Sequence, residues 1–260
     1  MLINNVNLNI NFYKPKESNK DTTIIFTHGM AEYSKSYEEV ALFFQNKGFH
    51  VITYDVRGHG KSEGKRGYVK SYMDFVNDLK EIVNLAYKET KNVFLAGHSM
   101  GGLITNLYAS IYNNVKGVIN TATPTEYSKE LKKIKYLPRF LFNNIKLKTN
   151  FNDTNLITTV TYQIDEHDLE YVYFKLINEI LFKGVKHFIK NTSDYKTNIL
   201  LIYSNNDVMV PSYHGINLYN KLTHGNKKLI LLEKSKHNIL NDIEKELAYN
   251  EILNWISNQI

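Results

Sequence analysis

Gly97-His98-Ser99-Met100-Gly101 constrains this chain more than any other stretch. The run Asn92-Val93-Phe94-Leu95-Ala96 before it is apolar and β-prone, and Gly102 to Ala109 after it carries apolar residues at helical spacing. That pattern is strand, sharp turn, helix, with a serine at the apex. An apex residue in such a turn is held in a strained backbone conformation, so the residues two positions away must be small, and Gly97 and Gly101 meet that demand. Ser99 then projects above the strand edge. The Met100 N–H opens a helix, where an amide and the helix dipole favour developing negative charge. A glycine-rich turn with an idle serine has the same local sequence, so the assignment needs support from elsewhere in the chain.

The rest of the chain alternates strands and helices. Val6, Leu8, Ile10 and Phe12 alternate with asparagines and predict one half-buried strand at a sheet edge. Thr22–Thr27, His50–Tyr54, Val115–Ile119, Asn198–Tyr203 and Lys228–Leu232 read as further strands. Tyr37 to Lys47, closing at Gly48, reads as a helix. A second helical face comprises Phe75, Leu79, Ile82, Val83 and Tyr87. A C-terminal helix is expected with Ile243, Leu247, Ile252, Trp255 and Ile256 inward. The predicted class is α/β, a mostly parallel sheet with helices on both faces. After Thr123-Pro124 strong buried-strand runs stop until residue 198. The expected organisation is therefore a core of residues 1–122 and 196–260 with a small, mostly helical cap insert at 123–195.

In such sheets ligands sit beyond the carboxyl ends of the strands. Asp207 follows the strand ending at 203, His237 the strand ending at 232, and His28-Gly29-Met30 the strand ending at 27. A serine hydroxyl is a weak nucleophile until an imidazole takes its proton, and a carboxylate on the far ring nitrogen fixes the tautomer and stabilises the imidazolium. Ser99, His237 and Asp207 are the candidates for those roles, and the Met30 and Met100 N–H groups are candidates for an oxyanion hole. Asp153, Asp165 and Asp168 are rival acids in the cap, and Glu233 lies close to His237 in sequence. His98 and His59 are rival bases that read better as scaffold.

His28-Gly29-Met30-Ala31-Glu32, Asp55-Val56-Arg57-Gly58-His59-Gly60-Lys61-Ser62-Glu63-Gly64 and Gly97-His98-Ser99-Met100-Gly101-Gly102 resemble the monoacylglycerol lipase and lysophospholipase branch of the α/β-hydrolases. The resemblance covers residues 20–122 and 196–260 and fades in the cap. It implies the α/β-hydrolase fold, with Ser99, Asp207 and His237 as the triad in that chain order. It also implies Met30 and Met100 as oxyanion donors. His28, Gly29, Glu32, Gly97, Gly101 and the Arg57–Ser62 loop are implied as support. Met30 stands where relatives carry a smaller residue, which narrows the pocket. The implied activity is hydrolysis of lipid-like carboxylic esters through an acyl-enzyme, with no cofactor and no metal. Alternatives are a short-chain carboxylesterase or thioesterase, or a ligand-binding protein that keeps the fold without catalysis.

There is no cysteine, which excludes thiolate catalysis and cysteine-ligated zinc and fits a reducing compartment. Neither a secretory leader nor a membrane-spanning run is visible, so the expected location is cytoplasmic. Residues 129–148 hold seven lysines or arginines against Glu130 alone, interleaved with Leu131, Ile134, Tyr136, Leu137, Phe140, Leu141, Phe142, Ile145 and Leu147. That local excess equals the +6 net charge of the whole chain. A basic, apolar-striped segment suits an anionic membrane surface, and an ordinary cap helix with a solvated lysine face has the same composition. A nucleic-acid role is not expected, since no binding module accompanies the charge.

Overall fold

The computed structural model describes all residues except 18–19, 135, 151–152, 154, 159–164 and 224, and omits the side chain of residue 130. The strands are β1 (Leu2–Ile3), β2 (Val6–Asn7), β3 (Ile10–Tyr13), β4 (Thr22–Thr27), β5 (His50–Tyr54), β6 (Asn92–His98), β7 (Gly117–Thr121), β8 (Lys146–Lys148), β9 (Tyr171–Tyr173), β10 (Asn198–Ser204) and β11 (Lys227–Leu232). The helices are α1 (Glu38–Asn46), α2 (Tyr72–Ala86), α3 (Met100–Tyr112), α4 (Lys129–Ile134), α5 (Phe174–Ile177), α6 (Val185–Asn191), α7 (Tyr213–Lys221) and α8 (Lys245–Ser257). A π-helical stretch, Asn178–Gly184, joins α5 to α6.

Seven strands form one sheet in the order β11-β10-β7-β6-β4-β5-β3, and only β3 runs antiparallel. The strands are covered on both faces, so β4, β7 and most of β6 and β10 are buried at every position, with Ile, Val, Leu and Phe alternating between the two faces. Alternation sorts those side chains. Ile25, Leu95, Val118 and Leu201 pack with α2, α3 and α7, whereas Ile24, Phe94, Ile119 and Leu200 pack with α1 and α8.

Three expectations need correction. The N-terminal strand is broken into two pieces. Asn4 and Asn5 both adopt positive φ (48° and 63°), a turn asparagine tolerates, and pair β1 with β2. The Asn9 amide N–H then donates to Ser62 Oγ instead of a strand neighbour, and β3 alone enters the large sheet, at its edge. Tyr87 caps α2 and is exposed, its hydroxyl donating to the Asn114 carbonyl. Ile243 precedes α8 and Leu247 faces solvent; the inner face is Ala248, Tyr249, Ile252, Trp255 and Ile256.

Residues 122–197 run from β7 to its sheet neighbour β10. Among its described residues this segment holds short helices and also the antiparallel pair β8–β9, which no periodicity announced. Its Leu169, Val172, Leu176, Ile180, Val185 and Phe188 belong to the same apolar cluster as α2 and α3. Among the described residues no helix is long and apolar enough to cross a membrane.

Candidate active site

The sheet register sets the geometry. Thr27, Gly97, Asn120 and Leu201 pair in one row across β4, β6, β7 and β10, and Leu201 pairs with Leu229 of β11. The loops leaving β4, β6, β10 and β11 therefore rise from a common edge.

Ser99 leaves β6 at φ 51°, ψ −117° and is the N-cap of α3. Its amide donates to the Thr121 carbonyl at 2.9 Å, which ties the turn to β7. A Cβ on Gly97 would fall 2.5 Å from the Gly101 backbone, and one on Gly101 would fall 2.1 Å from the Thr27 carbonyl oxygen. The glycines are thus required by close approach. Gly102 is equally crowded, since a Cβ there would meet Thr123 Oγ1 at 1.8 Å.

The structure brings the three predicted side chains together. Ser99 Oγ lies 3.0 Å from His237 Nε2, and His237 Nδ1 lies 2.8 Å from Asp207 Oδ2. A carboxylate accepts, so Nδ1 carries the proton and Nε2 is left to accept from the serine hydroxyl. The other carboxylate oxygen, Asp207 Oδ1, accepts from the Met209 and Val210 amides at 2.8 and 2.9 Å, which holds the acid in its own tight turn. Asp207 and His237 are buried.

Met100 stands at the first position of α3, where an N–H has no intrahelical partner. Met30 lies in a loop fixed at several points. Glu32 Oε1 accepts from the Gly29 amide at 2.6 Å and from the Tyr37 hydroxyl at 2.7 Å. His28 Nδ1 meets the Gly29 carbonyl at 2.7 Å, and its Nε2 accepts from the Val56 amide at 2.9 Å. Ala31 has φ 72°, and its carbonyl accepts from the Leu169 amide at 3.0 Å. The Arg57–Ser62 loop is ordered by buried Asp55. Its carboxylate accepts from the amides of Ser34 (2.9 Å) and Lys61 (2.8 Å) and from Asn9 Nδ2 (3.1 Å).

The rival groups lie elsewhere or are disabled. Asp165 accepts from the Tyr33 hydroxyl and Lys35, Asp168 from the Asp165 amide, and Asp153 from the Asn155 amide. The His98 ring lies tilted against the His237 ring, 4.8 Å between centroids, and meets Thr121 Oγ1 at 3.1 Å. Burial, aided by neighbouring His237, pushes its pKa down to about 3. Burial does the same to His59, also to about 3, with His28 adding to the effect. Both rings are therefore neutral at ordinary pH. Among the described residues no three His, Asp or Glu side chains gather as a metal site.

Two acids that sequence reasoning missed hold the histidine loop. Glu244 Oε2 accepts from the Lys234 amide (2.9 Å), the Ser235 amide (2.7 Å) and Ser235 Oγ (2.8 Å). Asp242 Oδ2 accepts from the Lys236 amide at 2.7 Å. The only available sequence signal was an acid pair just before a helix, which reads as ordinary N-terminal charge.

The family Hydrolase_4, described as serine aminopeptidase S33, matches residues 18–244. The monoglyceride lipase of Rattus norvegicus is 39% identical over 101 residues, 38% of this chain and 33% of that protein. A Bacillus subtilis phospholipase is 24% identical over 233 residues, covering 86% and 90% respectively. A Dictyostelium discoideum abhydrolase domain-containing protein is 25% identical over 257 residues, 92% of this chain but 26% of that relative's length. Among solved structures, the Paleococcus ferrophilus monoacylglycerol lipase superposes with a TM-score of 0.83 at 22% identity, covering 98% of this chain and 100% of that one.

Proposed function

The chain belongs to the Hydrolase_4 family, serine aminopeptidase S33, and we propose that within it this protein is a carboxylic ester hydrolase acting on lipid-like esters such as monoacylglycerol or lysophospholipid. The observation that carries the reading is the unbroken relay from Ser99 Oγ through His237 to Asp207, at 3.0 and 2.8 Å.

Ser99 Oγ attacks the ester carbonyl as His237 Nε2 takes its proton. Asp207 stabilises the resulting imidazolium through Nδ1. The Met30 and Met100 amides take the carbonyl oxygen as it becomes an oxyanion. Collapse of the tetrahedral intermediate breaks the C–O bond, His237 protonates the leaving alcohol, and Ser99 keeps the acyl group. A water, deprotonated by His237, then reverses the sequence and releases the acid.

The substrate class draws support from two relatives, a monoglyceride lipase and a phospholipase by name. Support also comes from the apolar lip of the segment proposed as the cap, residues 123–195. Phe140 is 69% and Leu141 66% exposed, and Lys132 and Lys133 of the same segment are exposed too. This lip suits peripheral contact with an anionic membrane. Not every basic residue serves it: Arg139 turns inward, its Nε donating to Asn178 at 3.0 Å and its guanidinium 4.2 Å from the Phe182 ring. Lys135, also assigned to this face, lies outside the described residues.

A fluorophosphonate probe is expected to label Ser99, and Ser99→Ala to abolish labelling; full labelling of the alanine variant would move the nucleophile elsewhere. A panel of nitrophenyl esters should show kcat/KM rising about fourfold per buried methylene, up to the length of the pocket. A maximum at acetate favours the short-chain carboxylesterase, and turnover confined to aminoacyl arylamides favours a peptidase. Co-sedimentation with vesicles should require anionic lipid and fall when Lys132 and Lys133 are neutralised.

A further inference from the structure

The backbone on both sides of His237 is held from a distance. The Lys236 amide donates to Asp242 Oδ2 at 2.7 Å, and the Asn238 amide donates to the Leu156 carbonyl at 2.8 Å. Asp242 is only 2% exposed. Its carboxylate does more than hold the loop: Oδ1 accepts from the Thr158 amide at 3.0 Å and the Ile243 amide at 2.8 Å, and Oδ2 accepts from Thr158 Oγ1 at 2.9 Å. Leu156 and Thr158 belong to the segment between β7 and β10, and Thr158 is 84 residues from Asp242. One buried carboxylate therefore grips the histidine loop and that segment at once. Glu244 offers a contrast, since the amides and hydroxyl it accepts from belong to the histidine loop alone.

The other end of the same stretch meets the opposite side of the site. The Leu169 amide donates to the Ala31 carbonyl at 3.0 Å, one residue from Met30. Asp165 receives the Tyr33 hydroxyl and, at 2.9 Å, Lys35 Nζ.

We propose that Asp242 is a positioning residue that couples the seating of Leu156–Thr158 to the alignment of His237, so that the segment sets turnover as well as substrate choice. The inference rests on the serine-hydrolase reading above. Its physical basis is the shared acceptor. When Thr158 withdraws, a buried carboxylate loses two of its donors and must recruit others or shift, and the Lys236 amide bonded to it moves with it. The Leu156–Asn238 bond is lost in the same movement. Slack in the loop lengthens the His237 Nε2 to Ser99 Oγ contact on which proton transfer depends.

The test uses the whole chain and an ester too short to reach the segment, nitrophenyl acetate, together with the rate of fluorophosphonate labelling at limiting probe. Asp242→Asn leaves one acceptor oxygen where four donors now converge, and is expected to lower kcat and the labelling rate on the order of tenfold or more, with KM held within about twofold. Thr158→Val, an exposed substitution that removes the hydroxyl bond to Asp242 Oδ2 and the longer 3.3 Å contact with the Lys234 carbonyl, should lower both about threefold, and Thr158→Ser should restore them. Thermal unfolding establishes that each variant is folded; should Asp242→Asn fail to fold, the Thr158 pair still decides. Unchanged kcat and labelling in Thr158→Val, or a loss confined to KM for long-chain esters, overturns the coupling. If the unmodified protein labels at no serine, the hydrolase reading itself fails and the coupling falls with it.

Discussion

Ser99 sits at φ 51°, ψ −117°, a region that costs a residue with a side chain about 1–3 kcal/mol. Surrounding contacts must supply that free energy, and they leave no room for change. Gly101→Ala would drive a methyl group to 2.1 Å from the Thr27 carbonyl oxygen, and is expected to destabilise the fold by about 3 kcal/mol and to abolish fluorophosphonate labelling. Urea unfolding and probe labelling read the two effects separately. At this scale the sequence was informative for one kind of residue. Ser99, Asp207 and His237 each follow an apolar run, so the strand ends pointed to them. Asp55, Asp242 and Glu244 do their work by accepting hydrogen bonds, chiefly from backbone amides, and a carboxylate that does so leaves no periodic trace.

The helical run from α5 to α6 shows what an element can conceal. Its π-helical stretch carries Glu179, which is 1% exposed yet receives Lys175 and Lys183 at 2.6 Å each and the Tyr72 amide at 3.3 Å. Burial pushes the Glu179 pKa up, and the two lysines more than offset this, leaving it below the ordinary value. Glu179→Ala leaves the half-buried Lys175 ammonium without its anion, and should cost about 3 kcal/mol in chemical denaturation; a loss under about 0.5 kcal/mol would mean that the pair contributes little. Long elements such as α2 and α3 were legible because their apolar spacing repeats over several turns. The β8–β9 pair was not, because two three-residue strands separated by more than twenty residues give period two nothing to build on. The misplaced Leu247 has a similar cause: one extra apolar side chain on a helix cannot announce that it points outward.

Across the whole molecule, three buried histidines make stability depend on acid. Burial lowers His59 and His98 to about 3 and His214 to about 4. All three stay neutral in the folded chain well below the pH at which the unfolded chain protonates them. Stability is therefore full above about pH 6.5 and falls as pH drops from there toward 3, by about 2 kcal/mol per histidine at pH 5. Denaturant titrations at pH 7.5 and pH 5 should differ by several kcal/mol, and equal midpoints would show that the three histidines do not make stability depend on acid in this range. A separate consequence follows from β7 and β10 being neighbours in the sheet. The chain makes a long excursion between two adjacent strands, and no ladder bond depends on its length. An excursion borrowed from a relative can replace it, and the chimera should still accept the fluorophosphonate, provided the newcomer fills the apolar places against α2 and α3, offers an amide to Ala31 and a carbonyl to Asn238, and brings a pair of donors to Asp242. Substrate preference would then be exchangeable like a fitting, with those tether points as its standard coupling.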